Sequence, residues 1–314
     1  MTDLPASIAH RRLSEATPPA LQTPLREARF NLSRDVVLPA RTRLQLDECL
    51  ARLRFHTKIY QDWGFAAVDP MGMTAILNFY GPPGTGKTLC AEALAGQLGL
   101  PFMALGIAEL ESKFMGDTAK NIQATFEQAR QTGALLFFDE ADTLLGKRLS
   151  SVTQGVDNEV NAMRSTLLIE LERFEGIVVF ATNFAKNYDE AFRSRIGYHV
   201  EFCLPDLGAR QQLWERFLVP QIPLAGPRGA LIDSASLRSD GLSGREIRTC
   251  MRLALPKSFL AAEKTGGAPC LHAEHLHAAI DEVLTSHLQV ATPPPTRIHS
   301  EQDVARAKSL LGLQ

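Results

Sequence analysis

Three short stretches of this chain carry residue types that together could move a phosphoryl group to water. The first is GPPGTGKT, Gly81 to Thr88, which follows the apolar run Ile76 to Tyr80 and opens onto a helix-forming run, Leu89 to Leu98. At such a strand-to-helix turn, Gly84 and Gly86 let successive backbone N–H groups curl inward, and the helix adds the positive end of its dipole. Pro83, Gly84, Thr85, Gly86, Lys87, Thr88 and Leu89 are the positions expected to wrap a polyphosphate, with Lys87 reaching the β- and γ-phosphates and Thr88 holding Mg²⁺. The second stretch is LLFFDEAD, Leu135 to Asp142, an apolar strand that delivers adjacent carboxylates to the same sheet edge. Asp139 is placed to hold Mg²⁺, usually through water, and Glu140 to polarise an attacking water. Two acids at such a place are costly unless a cation is near. Asp142 reads as a helix cap rather than a reactant. The third is the strand Ile177 to Ala181, ending in Thr182 and Asn183. The Asn183 amide can hydrogen-bond both a terminal phosphate and the water, with a turn-forming asparagine as the plainer alternative.

These residues need a sheet to gather them. Apolar runs at Ile76 to Tyr80, Phe102 to Leu105, Leu135 to Phe138 and Ile177 to Ala181, with a less uniform one at Tyr198 to Phe202, are separated by helical stretches. The middle runs lack polar alternation, the pattern of strands covered on both faces, so the expectation is an α/β fold with a doubly wound, parallel, five-stranded sheet. Gly99 and Gly133 stand where helices should stop, and Asp117 can cap the helix carrying Ile122, Phe126 and Ala129. Upstream, residues 1–29 are proline-rich and read as a flexible arm, followed by a short strand within Phe30 to Leu38. A helix is expected from Arg41 to Tyr60, with a stripe of Leu44, Leu46, Leu50, Leu53 and Ile59. Trp63 and Phe65 read as core aromatics, with a wall for an adenine ring as the alternative. Residues 30–205 are thus expected to form a large nucleotide-binding subdomain and 206–290 a small helical lid, with helices near Leu213, from Ser243 to Leu255 and from His272 to Leu288. Residues 291–314 read as a linker and a terminal helix.

Composition removes several function classes. A net charge of −2 gives no global pull towards nucleic acid or anionic lipid. No apolar run is long enough to span a bilayer, and the start lacks the apolar core of a signal peptide. Five cysteines without a C-x-x-C pair fit reduced thiols, and the protein reads as cytoplasmic. The group Cys270, His272, Glu274, His275 and His277 lacks a complete zinc-type spacing and reads as a solvated helix.

Taken together and in order, GPPGTGKT, FFDEAD, ATN and DEAFRSR resemble the AAA+ ATPases over about residues 35 to 285. The resemblance implies ATP and Mg²⁺ as cofactors and a homo-oligomeric ring, usually a hexamer, in which an arginine of one subunit reaches the neighbour's nucleotide. Arg195 occupies that place, with Arg193 as a second candidate and a surface arginine pairing with a local acid as the plainer alternative for both, although many relatives continue Arg-Phe-Asp where this chain has Arg195, Ile196, Gly197. GLSGR, Gly241 to Arg245, resembles the pachytene-checkpoint ATPases that remodel HORMA-domain proteins, and implies that Arg245 contacts the phosphates from the lid. Ser243 and Glu246 would at the same time form a capping box. By the same resemblance Lys113, Phe114 and Met115 belong to a pore loop that grips an extended polypeptide, with a core role for Phe114 as the alternative. The polar stretch Gly146 to Asn158 could also face the pore.

The reading these features support is a ring-forming, ATP-driven protein remodeller of the short bacterial type that accompanies anti-phage signalling, with a HORMA-domain client. Neither a protease domain nor the long N-terminal adaptor-binding domain of the eukaryotic relatives is expected. A nucleic-acid motor and a nucleotide-gated scaffold are the alternatives, and nucleic acid and membrane are not expected partners.

Overall fold

The computed structural model describes residues 23–69, 74–106, 118–146, 156–183 and 188–291. The chain divides into two compact units, one holding residues 23–36 and 40–203 of this set, the other 37–39 and 204–291. In the first unit the strands are β1 (Leu25–Arg26), β2 (Ala75–Tyr80), β3 (Phe102–Gly106), β4 (Leu135–Asp139), β5 (Ile177–Thr182) and β6 (Tyr198–Glu201). They pair in the order β1-β3-β4-β5-β2-β6, and all neighbours are parallel except β1, which runs antiparallel to β3. The helices are α1 (Leu32–Asp35), α2 (Ala40–Thr57, continued by a π-turn, Lys58–Asp62), α3 (Lys87–Leu98), α4 (Thr118–Thr132), α5 (Asp142–Leu145), α6 (Val156–Arg173) and α7 (Glu190–Arg193). Apolar residues on successive positions of β4 and β5 are buried on both faces, and Phe138 stacks on Phe180 with centroids 5.2 Å apart. Gly99 caps α3 in the left-handed conformation, and its N–H bonds back to the last turn.

The five expected parallel strands are present, and a sixth, antiparallel one comes from residues read as flexible. That segment is strapped down: Thr23 and Gln128 exchange backbone-to-amide hydrogen bonds of 3.1 and 3.0 Å, and the buried carboxylate of Glu92 on α3 takes Arg26 and Arg29, each at 3.0 Å. Phe30 to Leu38 is not a strand; Asn31 accepts the Ser33 N–H at 3.1 Å and starts the single turn of α1 instead. In α2, Leu46 and Leu50 are buried as expected, whereas Leu44 is 61% exposed. The core-packing reading of Trp63 and Phe65 also fails, since they are 72% and 45% exposed.

The second unit consists of α8 (Leu207–Phe217), α9 (Arg228–Arg238), α10 (Gly244–Thr265) and α11 (Ala273–Ala291), packed on a core that includes Trp214, Leu242, Ile247, Leu276 and Ile280. α9 falls between the expected helices near Leu213 and from Ser243, in a stretch that begins with Pro220, Pro223 and Pro227. α10 runs through Pro256, beyond the expected stop at Leu255. Proline removes one N–H from the helix ladder there, a cost of about 3 kcal/mol that the long packed face against α11 must offset. His272 and His275 meet edge to face, and His277 turns away to the Ser234 hydroxyl at 2.6 Å. No helix among the described residues is long and apolar enough to cross a membrane. All five cysteines are free thiols, and burial pushes Cys49 and Cys250 up to about 12.

Candidate active site

β2 ends at Tyr80 between β5 and β6, and the loop that follows is shaped by backbone that only glycine allows. Gly81, at φ +142°, lies so close to the chain leaving β6 that a Cβ would fall 2.1 Å from the Phe202 carbonyl oxygen. Gly86, at φ +100°, is the left-handed N-cap from which α3 departs. Thr85 Oγ1 donates to the Pro82 carbonyl at 2.8 Å, Pro83 is exposed, and Gly84, Leu89 and Thr85 are half-buried along the loop. The first helical residue, Lys87, is 8% exposed. Its Nζ donates to the carbonyls of Gly81 (2.7 Å) and Pro82 (2.9 Å) and to Asn183 Oδ1 (3.0 Å). Lys87 and Asn183, which lie 96 residues apart in sequence, therefore meet at one point.

The adjacent strand ends bring in the acids. Asp139 Oδ2 accepts the Thr88 hydroxyl at 3.1 Å, and Oδ1 accepts the Glu140 backbone N–H at 3.0 Å. Thr88 Oγ1 and the Asp139 carboxylate are hard oxygen donors brought within 3.1 Å of each other beside the phosphate-binding loop, so the pair fits Mg²⁺ held by Thr88 with Asp139 reaching it through water. Glu140 is exposed and holds φ +53°, a left-handed conformation in a residue with a full side chain, at a cost of about 1 kcal/mol. Asp142 is not the helix cap expected from the sequence. It lies inside α5, and its two carboxylate oxygens stand 3.2 and 3.4 Å from the Asn183 backbone nitrogen, accepting its N–H. Its role is to brace the β5 end, since a carboxylate one residue inside a helix can turn outward to a neighbouring strand.

Arg195 and Arg193 are placed elsewhere in the same unit. Arg195 follows α7, and its guanidinium donates to the Ala191 carbonyl at 2.7 Å and pairs with the Glu172 carboxylate. Two residues later the Gly197 N–H bonds to the Ile76 carbonyl at 3.0 Å, at the beginning of β2. Phosphate-binding loop and Arg195 thus sit at opposite ends of a strand, roughly 17 Å apart along five residues. Arg195 lines a cavity of about 390 Å³ at that end, together with Glu172, Arg52, Tyr60, Asp69 and Tyr198. Arg193 is exposed on α7. Arg245 is exposed in the first turn of α10, where the expected capping box is present: Glu246 accepts the Ser243 N–H at 2.7 Å, and Ser243 Oγ accepts the Glu246 N–H at 3.4 Å. Lys113, Phe114 and Met115, Asp117 with its expected capping role, and most of Gly146 to Asn158 lie outside the described residues.

Sequence reasoning passed over one group near the site. Asn78, fully buried in β2, donates from Nδ2 to the Tyr188 hydroxyl at 2.8 Å, and that hydroxyl lies 3.0 Å from Thr182 Oγ1. The available signal was a single amide inside the apolar run ILNFY.

Residues 77–204 match the model of the ATPase family associated with various cellular activities (AAA). The chain is 36% identical over 199 residues to a 26S proteasome regulatory subunit 7 homolog of Saccharomyces cerevisiae, covering 58% of this chain and 42% of that protein. It is 35% identical over 189 residues to katanin p60 ATPase-containing subunit A1 of Strongylocentrotus purpuratus, covering 55% and 34%. It therefore spans well under two thirds of the length of these curated relatives. In fold it is similar to the solved FIGL-1 AAA domain, with a TM-score of 0.63, 19% identity, and 87% and 91% of the two chains covered. The same domain in complex with ADP gives 0.56 at 22% identity, over 75% and 77%.

Proposed function

We propose that the AAA-family ATPase domain in this chain, residues 77–204, hydrolyses Mg-ATP at a seam between copies of the chain and uses the cycle to remodel a protein client. The observation that carries the reading is the position of Arg195. It stands at the far end of β2 from the loop that follows that strand, away from its own chain's phosphate loop and paired with Glu172, which supports service to a nucleotide on a neighbouring copy. A head-to-tail contact of that kind gives a ring when its rotation closes, and the resemblance supports closure as a hexamer.

At each seam, Lys87 and the loop N–H groups bind the phosphates, while Thr88 and Asp139 would hold Mg²⁺, which neutralises charge on the phosphate oxygens. Glu140 orients and polarises the attacking water. Asn183, already in contact with Lys87, reads the terminal phosphate on one side. Arg195 of the next copy reads it from the other, a contribution worth about 10³–10⁵ in rate for an arginine finger. By resemblance alone Arg245 is assigned to the phosphates, and the capping box fixes the start of its own helix.

Two relatives named as a proteasome regulatory subunit homolog and a katanin subunit support work on protein rather than DNA. On the finer level, GLSGR supports a HORMA-domain client in a bacterial anti-phage signalling system, the resemblance of the Ser112 to Gly116 stretch supports a grip by Lys113, Phe114 and Met115, and the unpaired cysteines support a cytoplasmic location. The experiment is ATP turnover with a HORMA-domain protein, with double-stranded DNA, and with neither. Stimulation by the protein alone is expected. Stimulation by DNA with a steep salt dependence would replace this reading with a nucleic-acid motor.

A further inference from the structure

We propose that Tyr188 is a positioning residue that ties the phosphate-reading end of β5 to the helix preceding Arg195, an inference that rests on the seam reading above. The Tyr188 hydroxyl sits between two fully buried polar side chains, Asn78 and Thr182. Asn78 Nδ2 donates into it at 2.8 Å, and Thr182 Oγ1 stands 3.0 Å away as a further hydroxyl partner. Thr182 is the residue before Asn183, and its carbonyl accepts the N–H of Gly81 at 3.3 Å, the first residue of the phosphate-binding loop. On its other side Tyr188 leads directly into α7. Its backbone bridges to Gly146, the Asp189 N–H bonds to the Leu145 carbonyl at 2.8 Å, and Asp189 caps α7 by accepting the Ala191 N–H at 2.9 Å. The Ala191 carbonyl then holds Arg195 at 2.7 Å. One hydroxyl thus connects β2, β5 and the start of α7.

The cost of this arrangement argues for a role. Asn78 lies in a central strand between Leu77 and Phe79, both fully buried, and its Oδ1 has no hydrogen-bond partner among the described residues. A leucine there would remove that burden, so the amide is poorly explained by stability alone. As an anchor for Tyr188, it fixes the hydroxyl and hence the register between Asn183 and Arg195.

The test uses the full chain and the double variant Tyr188→Phe, Asn78→Leu, which removes the hydroxyl together with the amide that donates to it, and with that amide its 3.4 Å contact to His199 Nδ1. Expected are a melting temperature within about 2 °C of the wild type, a KM for ATP within about two-fold, and a kcat lowered about ten-fold, the size of one lost hydrogen bond acting in the transition state. Tyr188→Phe alone should show the same kcat loss plus a lower melting temperature. Arg195→Ala is measured beside them. Wild-type kcat in the double variant with Arg195→Ala inactive would overturn this inference and leave the seam reading standing. Full turnover by Arg195→Ala would overturn the seam reading and this inference with it.

Discussion

Gly96→Ala should destabilise this protein, against the usual sign for such a change. Glycine inside a helix normally costs about 1 kcal/mol relative to alanine, and Gly96 lies in α3. Here, however, the added Cβ would fall 2.1 Å from the Phe30 carbonyl oxygen, 3.3 Å from its carbonyl carbon and 3.4 Å from the Ala28 Cβ. The backbone of the N-terminal strap would have to retreat by about 1 Å, and it cannot do so freely while Arg26 and Arg29 hold Glu92 one turn earlier in α3. Overpacking of this kind costs about 1–3 kcal/mol, and subtracting the helix gain leaves a net loss of up to about 2 kcal/mol. Thermal unfolding followed by circular dichroism should show a midpoint lower by a few degrees. Because α3 begins with Lys87 and Thr88, the KM for ATP should rise as well. A higher melting temperature would refute the claim that residues 23–31 are part of the folded nucleotide unit.

Three other outcomes follow. Burial pushes the Glu92 carboxyl up, but Arg29 and Arg26 outweigh it and hold the group below its ordinary value. Its contribution to stability is therefore full above the ordinary carboxylate range and lost as pH falls through the lowered value, so the melting-temperature gap between wild type and Glu92→Gln should close on acidification. Glu140→Gln should keep ATP binding and stabilise the assembly while turnover falls at least about 100-fold, as expected on losing a general base; unchanged hydrolysis would remove Glu140 from the mechanism. Phe114→Ala should leave ATP binding intact and uncouple hydrolysis from client unfolding, which a fluorescently tagged client would report.

The parallel strands and the residues at their ends were legible because each is a local signal. An uninterrupted apolar run marks a doubly covered strand, and a glycine-rich turn or a carboxylate pair marks where it ends. What escaped the sequence depends on partners distant in the chain. The strap at Thr23 to Arg29 looks like an exposed, charged arm until Glu92 is placed opposite its arginines. Asp142 looks like a cap until β5 brings the Asn183 N–H to it. α9 was hidden by Pro220 and Pro223 ahead of it, and the reach of α10 by Pro256, because proline is a local warning that tertiary packing can override. Trp63 and Phe65 misled for the opposite reason, since aromatic character alone does not say that a neighbour covers it.

Two inactive variants, mixed, test the seam most directly. Arg195→Ala keeps an intact phosphate-binding loop but lacks the arginine, and Lys87→Ala keeps the arginine but lacks the loop lysine. If every active site is built from two copies, each variant alone is inactive, and an equimolar mixture recovers about a quarter of wild-type ATP turnover, the fraction of random head-to-tail contacts that join a sound loop to a sound arginine. A mixture as inactive as its components, or an Arg195→Ala protein that turns over ATP by itself, would contradict the account.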